Sequence, residues 1–353
     1  MKRQIGTSAI SAEEIKGEEI MNGLSKSIRG RVLACLAVSI FIVSSIDVPG
    51  ASAQAYPNRV IRIVHGFASG GAADTLSRVV ADGLAKQLNE TVIVEAKPGA
   101  GGNLASDAVA KAAPDGYTLG LVTGGHAISA GLYKSLSYQP VDSFEMISTI
   151  VYYALVVATR SDYEAKTLGE FIALAKAKPG SLSFGSVGFG STHHLAGELL
   201  KAAAGIDVLH VPYRGDSQAI TALLAGDVPM IVGTSVLVAP QIESGAVRGL
   251  AVTSSTRSAL LPNVPSAGEA GLKGFDVRTW AGLLAPKGTP PAIIAQLNAA
   301  VLKSLADPGI RARLEAAIGG EVRGSTPPEM RELVTSEIAR WTAVIDAAKI
   351  PKL

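Results

Sequence analysis

Val60-Ile61-Arg62-Ile63-Val64, then Phe67-Ala68-Ser69-Gly70-Gly71-Ala72-Ala73-Asp74, then Leu76, Val80, Leu84 and Leu88 at four-residue spacing, read as strand, glycine turn and helix. The glycines allow close approach to the backbone, while the free N–H groups and dipole of a helix start favour an anion. The G-x-G-x-x-G spacing of a dinucleotide loop is absent, and so is the Gly-Lys-Ser/Thr of a Walker loop.

The same alternation continues outward. Val92-Ile93-Val94 reads as a second strand, Leu104 to Lys111 as a helix, and Tyr117 to Val122 as a third strand after the turn Pro114-Asp115-Gly116. Ala154 to Val157 is a strand, and Thr167-Leu168-Gly169-Glu170 is a capping box that opens the next helix. Another helix begins near Ser191 and stops at Gly205. It is followed by strand Val208 to Val211, helix Ser217 to Ala225, strand Val228 to Val232, a short helix at Pro240 to Glu243, and strand Arg248 to Val252. Strands alternating with helices imply an α/β protein with mainly parallel sheets flanked by helices.

From Pro290 the pattern is helical, with starts at Pro290-Pro291, Asp307-Pro308 and Thr326-Pro327-Pro328-Glu329. These helices are expected to pack back on the first unit. That gives two lobes, residues 54–155 plus 280–353 and residues 156–279, with crossings near Val156 and Trp280.

The N-terminus reads differently. An apolar run from Val32 to Val43 follows Lys26, Arg29 and Arg31 and precedes Ala51-Ser52-Ala53, the pattern of a cleaved secretory leader over residues 1–53. The run is shorter than the roughly 20 residues of a membrane-spanning helix. Glu13, Glu14, Glu18 and Glu19 are unusual in a leader, so Met21 is an alternative start. The single cysteine, Cys35, falls in the leader, so the exported chain is expected to have neither a disulfide nor a thiolate metal site. Basic and acidic residues balance, 32 against 30, and aromatics make up only 5%, which argues against a nucleic-acid partner.

Three further glycine-rich loops share the features of the first: Lys97-Pro98-Gly99-Ala100-Gly101-Gly102-Asn103, Thr123-Gly124-Gly125-His126, and Gly185-Ser186-Val187-Gly188-Phe189-Gly190-Ser191-Thr192. Ligands of open α/β sheets bind beyond the carboxyl ends of the strands, where such loops gather. Ser191 is at least an N-cap and, with Thr192, a hydroxyl donor to a carboxylate; without a G-x-S-x-G elbow it is a poor nucleophile. His193 and His194 are adjacent and diverge by about 100° on a helix, so they do not chelate one metal ion. His126 lies in a candidate ligand loop, whereas His65 and His210 read as structural. In His210-Val211-Pro212-Tyr213-Arg214-Gly215, Tyr213 offers an aromatic face, and Arg214 is either a bidentate carboxylate partner or a solvent-facing charge.

Taken together, these motifs resemble one family, the Bug-type extracytoplasmic solute receptors (TctC-like) of tripartite tricarboxylate transport systems. The resemblance runs over nearly the whole exported chain. It rests on Tyr56-Pro57, Gly70-Gly71 with Asp74, Pro98 to Asn103, Ala113-Pro114-Asp115-Gly116-Tyr117-Thr118-Leu119, Gly190 to Glu198, His210 to Gly215, and Leu283 to Pro290. It implies a periplasmic, two-lobed Venus-flytrap fold of the type II periplasmic-binding-protein class. The lobes would close on a small organic acid held by backbone amides and water, for delivery to membrane permease subunits. Carried over by position, the ligand loops are Phe67, Ala68, Ser69, Gly70, Gly71 and Asp74, with Gly124, Gly125 and His126, facing Gly188, Gly190, Ser191 and Thr192.

Two departures stand out. Ala68-Ser69-Gly70-Gly71 lacks the proline usual in the first loop, and Val232-Gly233-Thr234-Ser235 lacks the Phe-Asp common after that strand. If that acid selects an amino or hydroxyl group, its loss points to a plainer or more apolar acid. A monomeric receptor without cofactor, metal or catalytic residues is the leading reading. A periplasmic sensor is the alternative, and a hydrolase using Ser191 is disfavoured because no base-orienting carboxylate is evident.

Overall fold

The computed structural model describes residues 56–353; the leader, Cys35 and the Ala51-Ser52-Ala53 pattern lie outside the described residues. No helix among the described residues is long and apolar enough to cross a membrane.

β1 (Ile61–His65) and α1 (Ala72–Leu88) form where the opening stretch puts them. α1 buries Leu76, Val80 and Leu84, together with Ala72 and Val79, and ends at Asn89 in the left-handed conformation. β2 (Val92–Ala96), a 3-10 turn (Ala100–Gly102), α2 (Asn103–Ala110), β3 (Thr118–Thr123) and α3 (Gly125–Leu132) complete a first α/β unit. β1 runs parallel between β2 and β3, with Ile63 opposite Val94 and Leu119.

β4 (Phe144–Arg160) follows, a 17-residue strand of which the sequence pattern marks only the middle. The reason is burial on both faces: apolar side chains run almost unbroken, so no period-two alternation is present to read. Ser148 and Thr149 interrupt that run but are satisfied, Ser148 Oγ donating to the Thr149 carbonyl and Thr149 Oγ1 to the Arg323 carbonyl far along the chain.

The second unit comprises α4 (Leu168–Ala177), β5 (Leu182–Ser186), α5 (Thr192–Ala204), β6 (Val208–Pro212), α6 (Asp216–Ala225), β7 (Met230–Thr234), α7 (Ser235–Glu243) and β8 (Val247–Val252). β5 is parallel to both β6 and β7. β9 (Arg278–Pro286) returns between β3 and β4, antiparallel to each. The chain ends with α8 (Pro291–Ala306), α9 (Pro308–Ile318), β10 (Glu321–Val322) and α10 (Pro327–Ala347). α8 and α9 pack on α1, and α10 packs on α3 and β4.

The strand path is β2-β1-β3-β9-β4-β7-β5-β6, with β8 and β10 also on β4. All the antiparallel pairs involve β4 or β9, the long strands shared between units, while the βαβ pairs are parallel. β4 pairs β9 over residues 144–154 and pairs β7 and β8 over residues 155–160. At that change of partner the buried Thr253, just past β8, ties β4 to the residue before β9. Its N–H donates to the Leu155 carbonyl at 2.8 Å, its Oγ1 accepts the Leu155 N–H at 2.9 Å, and its Oγ1 donates to the Val277 carbonyl at 2.7 Å.

Three helix starts away from this junction carry side-chain caps. Thr326 and Glu329 form a complete capping box, and Asp307 Oδ1 accepts the N–H groups of Gly309 and Ile310. Thr167 caps α4 through the Glu170 N–H, but the Glu170 carboxylate takes the Lys166 N–H at 2.6 Å, so the capping box read from the sequence is only half formed. Trp280 packs with Val64, Phe144 and Met330 in the core.

Candidate functional site

Four helix starts meet where the two units face each other: α1 and α3 from the first, α5 and α6 from the second. The Ala68 N–H donates to the Arg214 carbonyl at 3.0 Å, and Ser217 Oγ donates to the Gly70 carbonyl at 2.9 Å, so the loops before α1 and α6 touch. Gly101 has φ +63, and a Cβ there would lie 2.4 Å from the Phe189 carbonyl; only glycine permits this approach. A Cβ on Gly125 would lie 3.1 Å from the Gly190 carbonyl, which brings α3 against α5.

The N-cap residues of α1, α3 and α6 are Gly71, Gly124 and Gly215, and none provides a side-chain cap. The first amides of a helix have no partner within the helix. Glycine starts therefore leave first-turn amides without a side-chain cap, which together with the helix dipoles favours an anion, although Asp74 in α1 and Asp216 in α6 offset part of that charge.

In the first loop, Gly71 is buried and Phe67 lines a cavity of about 10 Å³ with Asn103, Ser106 and His126, too small for an organic ligand. Ser69 and Gly70 are exposed. The buried Asp74 carboxylate accepts the Gly70 N–H at 3.0 Å, bonds Arg78 at 3.1 and 3.2 Å, and meets His65 Nε2 at 3.2 Å. Burial pushes its pKa up, but the Gly70 amide, Arg78 and His65 more than reverse this, so Asp74 is ionised and occupied in holding its loop. His126 is likewise committed. Its Nδ1 meets Ser106 Oγ at 3.1 Å, its Nε2 meets the Pro140 carbonyl at 2.8 Å, and its ring stacks on Tyr138; burial lowers its pKa to about 4.

In the second loop, Ser191 Oγ donates to the Gly188 carbonyl at 2.6 Å and accepts the His194 N–H at 3.2 Å. The Gly190 N–H donates to His194 Nδ1 at 3.3 Å, and His194 lies 4.2 Å from His210, ring centre to ring centre. Burial lowers these pKa values to about 4 and about 3, so two neutral imidazoles support the loop from beneath. Tyr213 is half-buried and its N–H donates to the Ser186 carbonyl at 2.9 Å, while the Arg214 side chain is exposed.

Several polar residues that sequence reasoning passed over lie in the same junction. The buried Thr279 Oγ1 accepts the Gly124 N–H at 3.2 Å and meets Thr192 Oγ1 at 3.0 Å, which ties the α3 and α5 starts through β9. The buried Asp216 Oδ1 accepts the Thr234 N–H at 3.1 Å and the Thr234 hydroxyl at 3.2 Å. His193 Nε2 lies 3.4 Å from the same oxygen but is not aligned for a hydrogen bond, which leaves Nε2 buried without a partner. An acid in a helix's first turn reads as dipole compensation, so nothing in the sequence marked Asp216.

A larger hollow of about 580 Å³ lies beside the change of partner on β4, lined by Tyr152, Arg257, Arg278 and Glu315 among others. Its arginines are paired, Arg257 with Glu269 and Arg278 with Asp276, so it offers an anion little.

A family model described as tripartite tricarboxylate transporter family receptor matches residues 76–350. The chain belongs to this receptor family. Three solved structures are similar over its length. The periplasmic binding protein BugD has a TM-score of 0.81 and 34% identity, covering 84% of this chain and 100% of that one. MatC from Rhodopseudomonas palustris with bound malate has a TM-score of 0.78 and 35% identity, covering 82% and 100%. An R. palustris protein with adipate has a TM-score of 0.80 and 31% identity, covering 84% and 100%. The receptor thus has the two-lobed α/β fold of periplasmic binding proteins.

Proposed function

We propose that the receptor closes its two lobes on a small organic carboxylate and delivers it to the membrane permease subunits of a tripartite tricarboxylate transporter. The observation that carries this reading is the meeting of three glycine-started helices, α1, α3 and α6, with the Ser191-capped α5. The malate and adipate in the similar structures are carboxylates, in keeping with it.

On this reading the ligand is held by the amides at Gly71, Gly125 and Thr192, together with the hydroxyls of Thr192 and Thr279. Ala68, Gly70, Asp74, His126, Gly188 and Tyr213 hold the loops in shape. The lobes are residues 54–155 plus 280–353 and residues 156–279; β4 and β9 cross between them, and Thr253 is the clamp at the hinge. Residues 1–53 are a leader removed on export, and the receptor works as a monomer without cofactor or metal. It binds without turnover: the Ser191 hydroxyl donates to the Gly188 carbonyl and is held as a helix cap.

A thermal-shift panel of organic acids tests this. An acid present at a hundred times its Kd raises stability by about 2.7 kcal/mol. A shift with metal ions alone, or with uncharged solutes alone, contradicts the reading.

A further inference from the structure

The side chain of Asp216 is a buried charge at the start of α6, where Gly71 of the opposite loop lies against its backbone; a Cβ on Gly71 would sit 3.8 Å from the Asp216 nitrogen. The three contacts to its carboxylate, from the Thr234 amide, the Thr234 hydroxyl and His193, all go to Oδ1, and Oδ2 receives none of them. Beside it, His193 Nε2 is buried and unpartnered, and its side chain is only 7% exposed. Oδ2 is not among the fully buried atoms that lack a hydrogen bond, so it is an acceptor that an arriving donor can reach. Burial raises the Asp216 pKa, but His193 and the Thr234 donors outweigh it, so the group is an anion and an acceptor only. Its charge, after burial itself, also pushes the pKa of the neighbouring Tyr153 hydroxyl above its usual range, so that phenol keeps its proton.

These features give the junction two unlike ends. The glycine starts of α1 and α3 offer amides and attract an acid, whereas a fixed negative charge sits at the α6 end and repels a second one. What suits the α6 end is a hydrogen-bond donor. We propose that Asp216, backed by His193, reads a donor on the ligand and thereby selects a carboxylate bearing a hydroxyl or ammonium group over the plain acid of equal length. This rests on the receptor reading above and deepens it. The acid missing at Gly233 suggested a plainer ligand from the sequence; Asp216, bonded to Thr234, points the other way.

The test is calorimetric titration of the purified receptor with matched pairs, malate against succinate, lactate against propionate, and aspartate against succinate. A site built to bond a donor rejects the analogue lacking it, so the donor-bearing member should bind about tenfold tighter or more in at least one pair. Asp216→Asn should bring that ratio below about threefold, because the neutral amide no longer repels the plain acid or prefers a cationic or strongly polarised donor. A purely structural role would weaken both members equally and leave the ratio intact, which overturns the inference, as does equal binding within every pair by the unaltered receptor. Should Asp216→Asn fail to fold, His193→Gln decides: a reduced ratio supports the proposal and an unchanged one overturns it. If no acid binds, in these pairs or in the thermal-shift panel, the carboxylate-receptor reading itself falls and takes this inference with it.

Discussion

Three helix starts at the junction differ from three at the periphery. α4, α9 and α10 begin with Thr167, Asp307 and Thr326, whose side chains accept the first free amides. α1, α3 and α6 begin with Gly71, Gly124 and Gly215 and leave theirs open. These three peripheral starts use side chains to satisfy their donors, whereas α1, α3 and α6 have no such cap; Ser191 caps α5 even at the junction, and the Gly124 N–H itself goes to Trp280 and Thr279. The difference separates two properties that usually fall together, because closing a junction start with a side chain should harm binding without harming the fold.

The largest effect expected is on stability in acid, and it concerns what supports the junction loops. His126, His194 and His210 are held neutral with pKa values lowered to about 4, about 4 and about 3, burial being the main cause in each. A histidine whose folded pKa is depressed takes up its proton in the unfolded state first. Unfolding is therefore favoured as pH falls below about 6.5, by up to about 1.4 kcal/mol per pH unit for each ring until its folded pKa is reached. Denaturant unfolding at pH 7.5 and 5.5 should differ by a few kcal/mol on this basis, and a flat profile over that range would contradict the burial described. The lowered pKa values of Asp74 and Asp216 act in the same direction only at lower pH, below the ordinary carboxylate range.

Next in size is Gly71→Asp. Gly71 has the extended backbone of an N-cap, and a Cβ there meets only ordinary contacts, so an aspartate fits and caps α1. Because it occupies the open amides and sets a like charge against the ligand, the affinity for a bound acid should fall about a hundredfold or more. The melting temperature without ligand should hold or rise, a separation that no general damage to the fold reproduces. Thr279→Val comes third. It removes one of two acceptors of the Gly124 N–H, the Trp280 carbonyl at 3.0 Å remaining, together with the partner of Thr192, and should weaken acid binding about tenfold. Smallest is Thr326→Ala, which opens a peripheral start and should cost about 1 kcal/mol of stability with acid affinity unchanged. A loss of binding there would dissolve the contrast between the two classes of helix start.

Much of this architecture was legible because its signals are local. Glycine after a β-branched strand marked the first loop, and Gly205 marked where α5 stops, in left-handed conformation. The crossing strands were less legible, since β4 and β9 are buried on both faces and carry no alternation. For β9 the sequence suggested only a crossing near Trp280. The polar residues of the junction were hidden for a different reason. Thr279 and Asp216 act on partners 155 and 18 residues away, Gly124 and Thr234, and pairing at such a distance leaves no spacing to recognise. The prominent Arg214, by contrast, contributes its carbonyl to the junction while its side chain is exposed.

Whether open helix starts hold an acid is tested most directly by native mass spectrometry of receptor purified from the periplasm, beside its Gly71→Asp form. A small carboxylate should be released on denaturation from the unaltered receptor and be missing from the folded variant. The same ligand retained by the variant, or a ligand without an acid group, would contradict it.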